Sequence, residues 1–314
     1  MKKAVLIPII IGSALLVTGG IFLAIGVAGS AEVSKRETHE VPVEEAFNNI
    51  DIDLGITDVE FKVSEDSKTK VVFEQNQYYQ HTAEVKDNKL LVRFNDTRKW
   101  YQKIFTFDFQ SIKATFYLSN TTYGELKMEN STGDLIIPYN FTFDSVNLKA
   151  STGNVKFNAK VNNDLTLKLS TGNVTLDGTI ANNITGEVST GNYNLKNVTV
   201  AEKIHLKSST GKINLTDVTA KDLELKASTG DMKLTNTIIA NHIEMKTSTG
   251  DINIVDSDAD TLNIETDTGD VKGTLLTSKI FIVKGDHVDV PETTTGGVCK
   301  IKTDTGHVKI SIKG

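Results

Sequence analysis

Over short runs every second residue is apolar, and the runs return at a fixed interval. Val146, Leu148 and Ala150 give way to Leu165, Leu167 and Leu169, then to Ile204, Leu206 and Ser208, then to Leu223, Leu225 and Ala227. A period of two is that of a half-buried strand. Behind each run stands Ser-Thr-Gly with Asp or Asn after it, or Lys212 after Gly211, and beyond it the alternation resumes one residue out of phase: Val155 and Phe157, Val174 and Leu176, Ile213 and Leu215, Ile252 and Ile254. A tight bend or bulge at the glycine lets both strands keep one side inward across that slip. A third apolar cluster at Val161, Ile180-Ala181, Val200-Ala201, Ala220 and Ile239-Ala240 reads as the next corner.

The bend glycines are Gly133, Gly153, Gly172, Gly191, Gly211, Gly230, Gly250, Gly269 and Gly306. Neighbours are 19 or 20 residues apart, except that the last interval is 37, close to two periods with one degenerate copy. One such unit cannot bury its apolar face alone, so the units must stack. The pattern therefore predicts an all-β fold, a parallel β-solenoid (β-helix) of 19–20-residue turns over residues 126–314. Equivalent side chains should form inward rows, the clearest being Leu126, Val146, Leu165, Ile184, Ile204, Leu223, Ile243, Leu262 and Cys299.

The segment before the repeats divides by polarity. Residues 1–3 are short and basic and read as a cytoplasmic tail; residues 4–28 run for 25 positions without a charge. As a helix that run spans about 37 Å, enough to cross a bilayer. The rival reading is a cleaved signal peptide ending near Ala28-Gly29-Ser30. An uncleaved span would make this a single-pass cell-membrane protein, its C-terminal domain extracytoplasmic. Residues 29–46 are polar and read as a linker, and residues 47–125 as a strand-rich cap over one end of the solenoid. Within the cap, Leu54-Gly55-Ile56-Thr57-Asp58-Val59 reads as a worn repeat, and Trp100-Tyr101 with Ile104–Phe109 as either an aromatic cap core or a sticky patch for a partner or the membrane surface, the cap core being favoured. At the other end Val308–Gly314 should leave an uncovered strand edge.

Chemistry is sparse. A net charge of −6 argues against nucleic acid as a partner. Cys299 is the sole cysteine, so no intrachain disulfide forms, and its place in an inward row makes it a small buried hydrophobe. No arginine lies in the repeats, and the acids that recur after the glycine alternate with Asn154, Asn173 and Asn192 in a slot that turn chemistry explains. The six histidines show no metal-ligand spacing. No catalytic residue, cofactor site or metal site is expected, although Asp231, Asp251 and Asp270 share a slot where a hard cation could relieve their repulsion. Thr132, Thr152, Thr171 and Thr190 share the inward phase and should line a corner inside, which argues against an ice-binding face. The outer face carries a row at Lys149, Lys168, Glu187, Lys207, Lys226, Lys246, Glu265 and Lys302. Its lysines Lys149, Lys168, Lys207, Lys226 and Lys246 either bind an anionic ligand or keep a solvated face soluble.

The serial Ser-Thr-Gly-Asp/Asn copies with their Leu, Ile and Val flanks resemble the putative adhesin family, domain of unknown function 4097, over residues 46–314. The resemblance implies a β-solenoid at the bacterial cell envelope and supplies no catalytic residues. The expected function is thus a non-enzymatic, membrane-anchored module that binds an anionic envelope polymer, lipid or another envelope protein, in adhesion or envelope stress. Alternatives are a scaffold that stacks end to end, as bactofilins do, or a β-helix that is cation-stabilised or acts on polysaccharides.

Overall fold

The computed structural model describes residues 36–75, 78–100 and 112–313. The expected membrane span at 4–28, the cytoplasmic tail and the aromatics from Tyr101 to Phe109 lie outside the described residues. Among the described residues no helix is long and apolar enough to cross a membrane.

Each coil contains three strand segments. In one of them Asp164–Thr171 leads into the bend at Gly172, Val174–Asp177 leaves it, and the short Ile180–Ala181 completes the circuit before Asn183–Thr190 begins the next coil. Successive coils pair in parallel and in register: Asp164–Thr171 lies between Thr142–Thr152 and Asn183–Thr190, and Val174–Asp177 pairs with Tyr193–Lys196. The row from Leu126 to Cys299 is continuous, each member opposite the next, and every member is buried. One apolar core runs the length of the stack. At roughly 1.5 kcal/mol or more per buried aliphatic side chain, these rows supply the main driving force.

At the bend, the sequence does what the backbone demands. The nine repeat glycines have φ between 135° and 152°, which side chains of L-residues rarely adopt. A Cβ at any of them would meet a carbonyl oxygen of the adjacent coil at 1.8 to 2.2 Å. The Asp/Asn slot has its own role. Asn154 N donates to Asp134 Oδ1 (2.7 Å), Asn173 N to Asn154 Oδ1 (3.1 Å), Asn192 N to Asn173 Oδ1 (3.0 Å) and Lys212 N to Asn192 Oδ1 (2.8 Å). Each coil's carboxylate or amide thus holds the next coil's backbone.

The second corner lies a few residues before the apolar cluster read as the next corner. Gly178, Asn197, Asp217, Asn236 and Asp256 all take positive φ, from 47° to 70°, in the small left-handed region that Asn and Asp tolerate. The apolar cluster expected there sits just beyond it: Val161, Ala181, Val200, Ala220 and Ile239 are buried, while Ile180, Ala201 and Ala240 face outward.

The amino-terminal region joins the stack. Asn49–Val63 pairs in parallel with Thr122–Thr132 and Leu135–Ile137, so it is a coil in its own right. The worn repeat is real but shifted: Ile56 lies opposite Thr132, Asp58 Oδ1 accepts from Asp134 N at 2.8 Å, and buried Thr57, not Gly55, occupies the glycine slot. Antiparallel strands cover this end, Glu37–Val43 on Thr69–Gln75, Thr69–Gln75 on Ile112–Leu118, and Tyr79–Lys86 on Lys89–Asp96. Trp100, expected in a cap core, is 74% exposed.

The other end differs from expectation. Gly297–Thr305 lies between Thr261–Thr268 and Lys279–Lys284, and His307–Ile312 lies between Val271–Leu275 and His287–Asp289. The chain therefore lays down its outermost coil, Lys279–Asp289, first and then returns to slip the last coil beneath it. The degenerate copy in the 37-residue interval is the terminal coil; it covers His307–Lys309, while Ile310–Ile312 pairs only with the coil beneath.

Candidate binding groove

The Ser-Thr pair faces outward. Thr132, Thr152, Thr171, Thr190, Thr210, Thr229, Thr249, Thr268 and Thr305 form one exposed rank, each opposite the next. This overturns the inward placement. The strand starts to turn at the threonine, so its side chain lies on the convex side of the corner, and two consecutive residues, Ser and Thr, face solvent.

Beside the serines runs a longitudinal groove of about 440 Å³. Its floor includes Ala150 and Leu169, one rim carries Ser131, Ser151, Ser170 and Ser189, and the other Glu129, Lys149, Lys168 and Glu187. Register places Lys149 next to Lys168 and Lys168 next to Glu187; Lys207, Lys226 and Lys246 follow one another beyond that break. A continuous cationic stripe does not result. Lys149 contacts Glu129 at 3.2 Å, Lys207 reaches Glu187 at 3.7 Å, and Lys246 contacts Glu244 at 2.6 Å. Glu224 gathers Lys203 (2.6 Å), Lys226 (2.5 Å) and His205 (3.0 Å), and the hydrogen bonds from Lys203 and then Lys226 hold its carboxyl down at about 2. Hydrogen bonding from Lys149 likewise lowers Glu129. Among the described residues Lys168 has no ion-pair partner. Sequence reasoning found the lysines and Glu187 but missed both the serine rim and the carboxylates of Glu129, Glu224 and Glu244 that neutralise Lys149, Lys226 and Lys246.

The candidate cation slot has a structural account. Asp231 Oδ1 accepts from Asp251 N (3.2 Å), Asp251 Oδ1 from Asp270 N (2.9 Å) and Asp270 Oδ1 from His307 N (2.8 Å). Lys212 and Lys272 take the free oxygens of Asp231 and Asp270, lowering both carboxyls. Among the described residues no cluster of His, Cys, Asp or Glu is arranged to hold a metal ion. Cys299 is fully buried, and burial pushes its thiol up to about 12, outside the range of a nucleophile.

No curated protein matches the chain. Among solved structures, one from Parabacteroides distasonis called "Putative lipid binding protein" is 17% identical with a TM-score of 0.51, over 88% of this chain and 97% of that one. A "putative adhesin" from Bacteroides fragilis is 18% identical over 89% of this chain and 98% of that one, with a TM-score of 0.38. A "putative adhesin" from Parabacteroides distasonis is 15% identical over the same shares, also at 0.38. The first of these shares the fold. The family model described as Toastrack DUF4097 matches residues 47–215 and 199–314, so the chain belongs to the DUF4097 family.

Proposed function

We propose that this protein is a non-enzymatic binding module of the bacterial cell envelope, held to the membrane by residues 4–28 with the solenoid outside, and that its groove receives an extended anionic polymer. The observation that carries this reading is the site at Lys149 and Lys168. Two ammonium groups lie on adjacent coils, one without a carboxylate partner, opposite serine hydroxyls that repeat once per coil. A phosphate- or carboxylate-bearing chain laid along the stack would meet a hydroxyl on every coil and positive charge at its centre. The adhesin names of structural neighbours agree with a binding role, and the lipid-binding name of another makes phospholipid headgroups the rival ligand.

Equilibrium binding of the full chain to a glycerol-phosphate polymer and to phosphatidylglycerol vesicles tests this. At about 1 kcal/mol per lysine near an anionic surface, Lys149→Gln with Lys168→Gln should weaken binding roughly 30-fold. Changing Lys207, outside the groove, should leave it unaltered. Equal binding by the double variant and the parent to both probes would eliminate the groove as the site.

A further inference from the structure

The two ends of the stack are not alike. At the amino-terminal end Thr69–Gln75 runs antiparallel to the coils, and the edge strand Glu37–Val43 that pairs with it carries two exposed glutamates, Glu37 and Glu40, and Pro42, which lacks a donor. At the other end Lys279–Lys284 pairs on one side only, with Gly297–Thr305. Its sequence, Lys-Ile-Phe-Ile-Val-Lys, has no proline and no acid. Ile280 is 40% exposed and Ile282 is 55% exposed, while Phe281 and Val283 lie half-buried at the open end of the core. An apolar unpaired edge of this kind is a template for another strand.

We infer that Lys279–Lys284 is a homodimer interface, where this strand pairs antiparallel with the same strand of a second copy about a twofold axis through Phe281. The register follows from chemistry, because directly opposed residues of an antiparallel pair share a face. Centring on Phe281 sets Ile280 against the partner's Ile282 and Phe281 against the partner's Phe281, with no lysine facing a lysine. Centring on Ile282 would instead set Ile280 against a lysine. Both lysines already have counter-charges within their own chain: Lys279 contacts Asp258 at 2.7 Å and Lys284 contacts Asp304 at 3.3 Å. The Thr293 hydroxyl donates to the Lys279 carbonyl, so the open run is Ile280–Val283, which that axis nearly bisects. A second copy is the occupant because the strand is complementary to itself, whereas the proline-bearing edge at the far end is a poor acceptor. Association thus closes at two and does not build a filament. The inference is independent of the groove and its ligand.

Sedimentation velocity of the full chain in mild detergent over a wide concentration range should show reversible monomer–dimer exchange, and Ile282→Lys should abolish the dimer while leaving the thermal midpoint unchanged. Single Ile280→Cys and Ile282→Cys variants should not cross-link alone under oxidation but should form a mixed disulfide dimer when combined. A monomer at every concentration, larger polymers, or a dimer indifferent to Ile282→Lys would overturn the interface. Cross-linking of the Ile282→Cys variant alone would overturn the register.

Discussion

At the scale of single residues, two glycine positions that look alike in sequence differ in what they require. At Gly211 φ is 146° and a Cβ would lie 1.9 Å from the Gly191 carbonyl oxygen. Gly211→Ala should therefore cost about 3 kcal/mol or more, read as a loss of midpoint in urea unfolding. At Gly178 φ is 70° with nothing near a Cβ, and the equivalent positions in later coils are Asn197, Asp217 and Asn236. Gly178→Asn should change stability by less than about 0.5 kcal/mol. A compensated pair sits inside the core. Gly186 occupies a row of leucines, Leu148, Leu167, Leu206 and Leu225, and a Cβ there would lie 2.6 Å from the hydroxyl of buried Tyr193, which replaces the Val174 of the coil before. Tyr193→Val alone opens a void and Gly186→Leu alone overpacks, each costing about 2–4 kcal/mol. The double variant should recover most of the loss in chemical denaturation, and simple addition of the two costs would disprove the pairing. The bend glycines were legible because an invariant conformation selects one residue type. The outward threonines were not, because counting alternate positions assumes a straight strand, and the strand is already turning at that residue.

At the scale of elements, the coils announce themselves while the cap does not. The parallel strands repeat a period that reports both strand and stack, and even the worn copy kept Asp58 where the next coil needs an acceptor. The antiparallel hairpin Tyr79–Lys86 with Lys89–Asp96 has alternation but no period, so nothing local says which coil it closes. Its burial of His81 has a measurable consequence. The ring stacks on Phe73 at 4.7 Å and lies near Phe94 at 5.3 Å; its Nε2 is 3.4 Å from Thr57 Oγ1 and its Nδ1 has no partner. Desolvation pushes its pKa down to about 4. The unfolded chain binds a proton near pH 6.5 while the folded chain still refuses it, so this stability is complete above about 6.5 and is lost as pH falls toward 4. The loss should approach about 3 kcal/mol, taken from denaturation midpoints across that window. His81→Phe should flatten the curve within the window; an unchanged slope would place the acid sensitivity elsewhere.

For the whole molecule, the stack is a one-dimensional assembly in which each coil touches only its neighbours, so its ends can open while its middle holds. Besides its ladders, the terminal coil is held by exposed contacts, Lys284 with Asp304, Lys309 with Asp289 and Gly306 N donating to Asp286 Oδ2, and by one buried ion pair, Lys279 with Asp258, whose side chains are 3% and 10% exposed. Asp258 also accepts from the backbone N–H groups of Ala259, Leu276 and Thr277 at 2.8, 3.1 and 2.6 Å, which pins the turn where the chain departs for its outermost coil. The order of the last two coils was illegible in the sequence, because a 37-residue interval is equally compatible with a coil laid between its neighbours or beyond them. Cys299 reports on that order directly. Phe281 of the terminal coil lies opposite it, so its thiol can meet a reagent only when Lys279–Asp289 lifts away. Lys279→Met removes the ammonium but leaves Asp258 its three backbone donors, so the local cost should be about 2 kcal/mol, less than for an ion left wholly unpaired. Thiol labelling of native protein should accelerate roughly 30-fold, while the main unfolding midpoint by circular dichroism moves little. Were the midpoint to fall in step with the labelling rate, the terminal coil would be part of one cooperative unit with the rest. Were labelling unchanged, the coil laid down first would not be the one that guards the core.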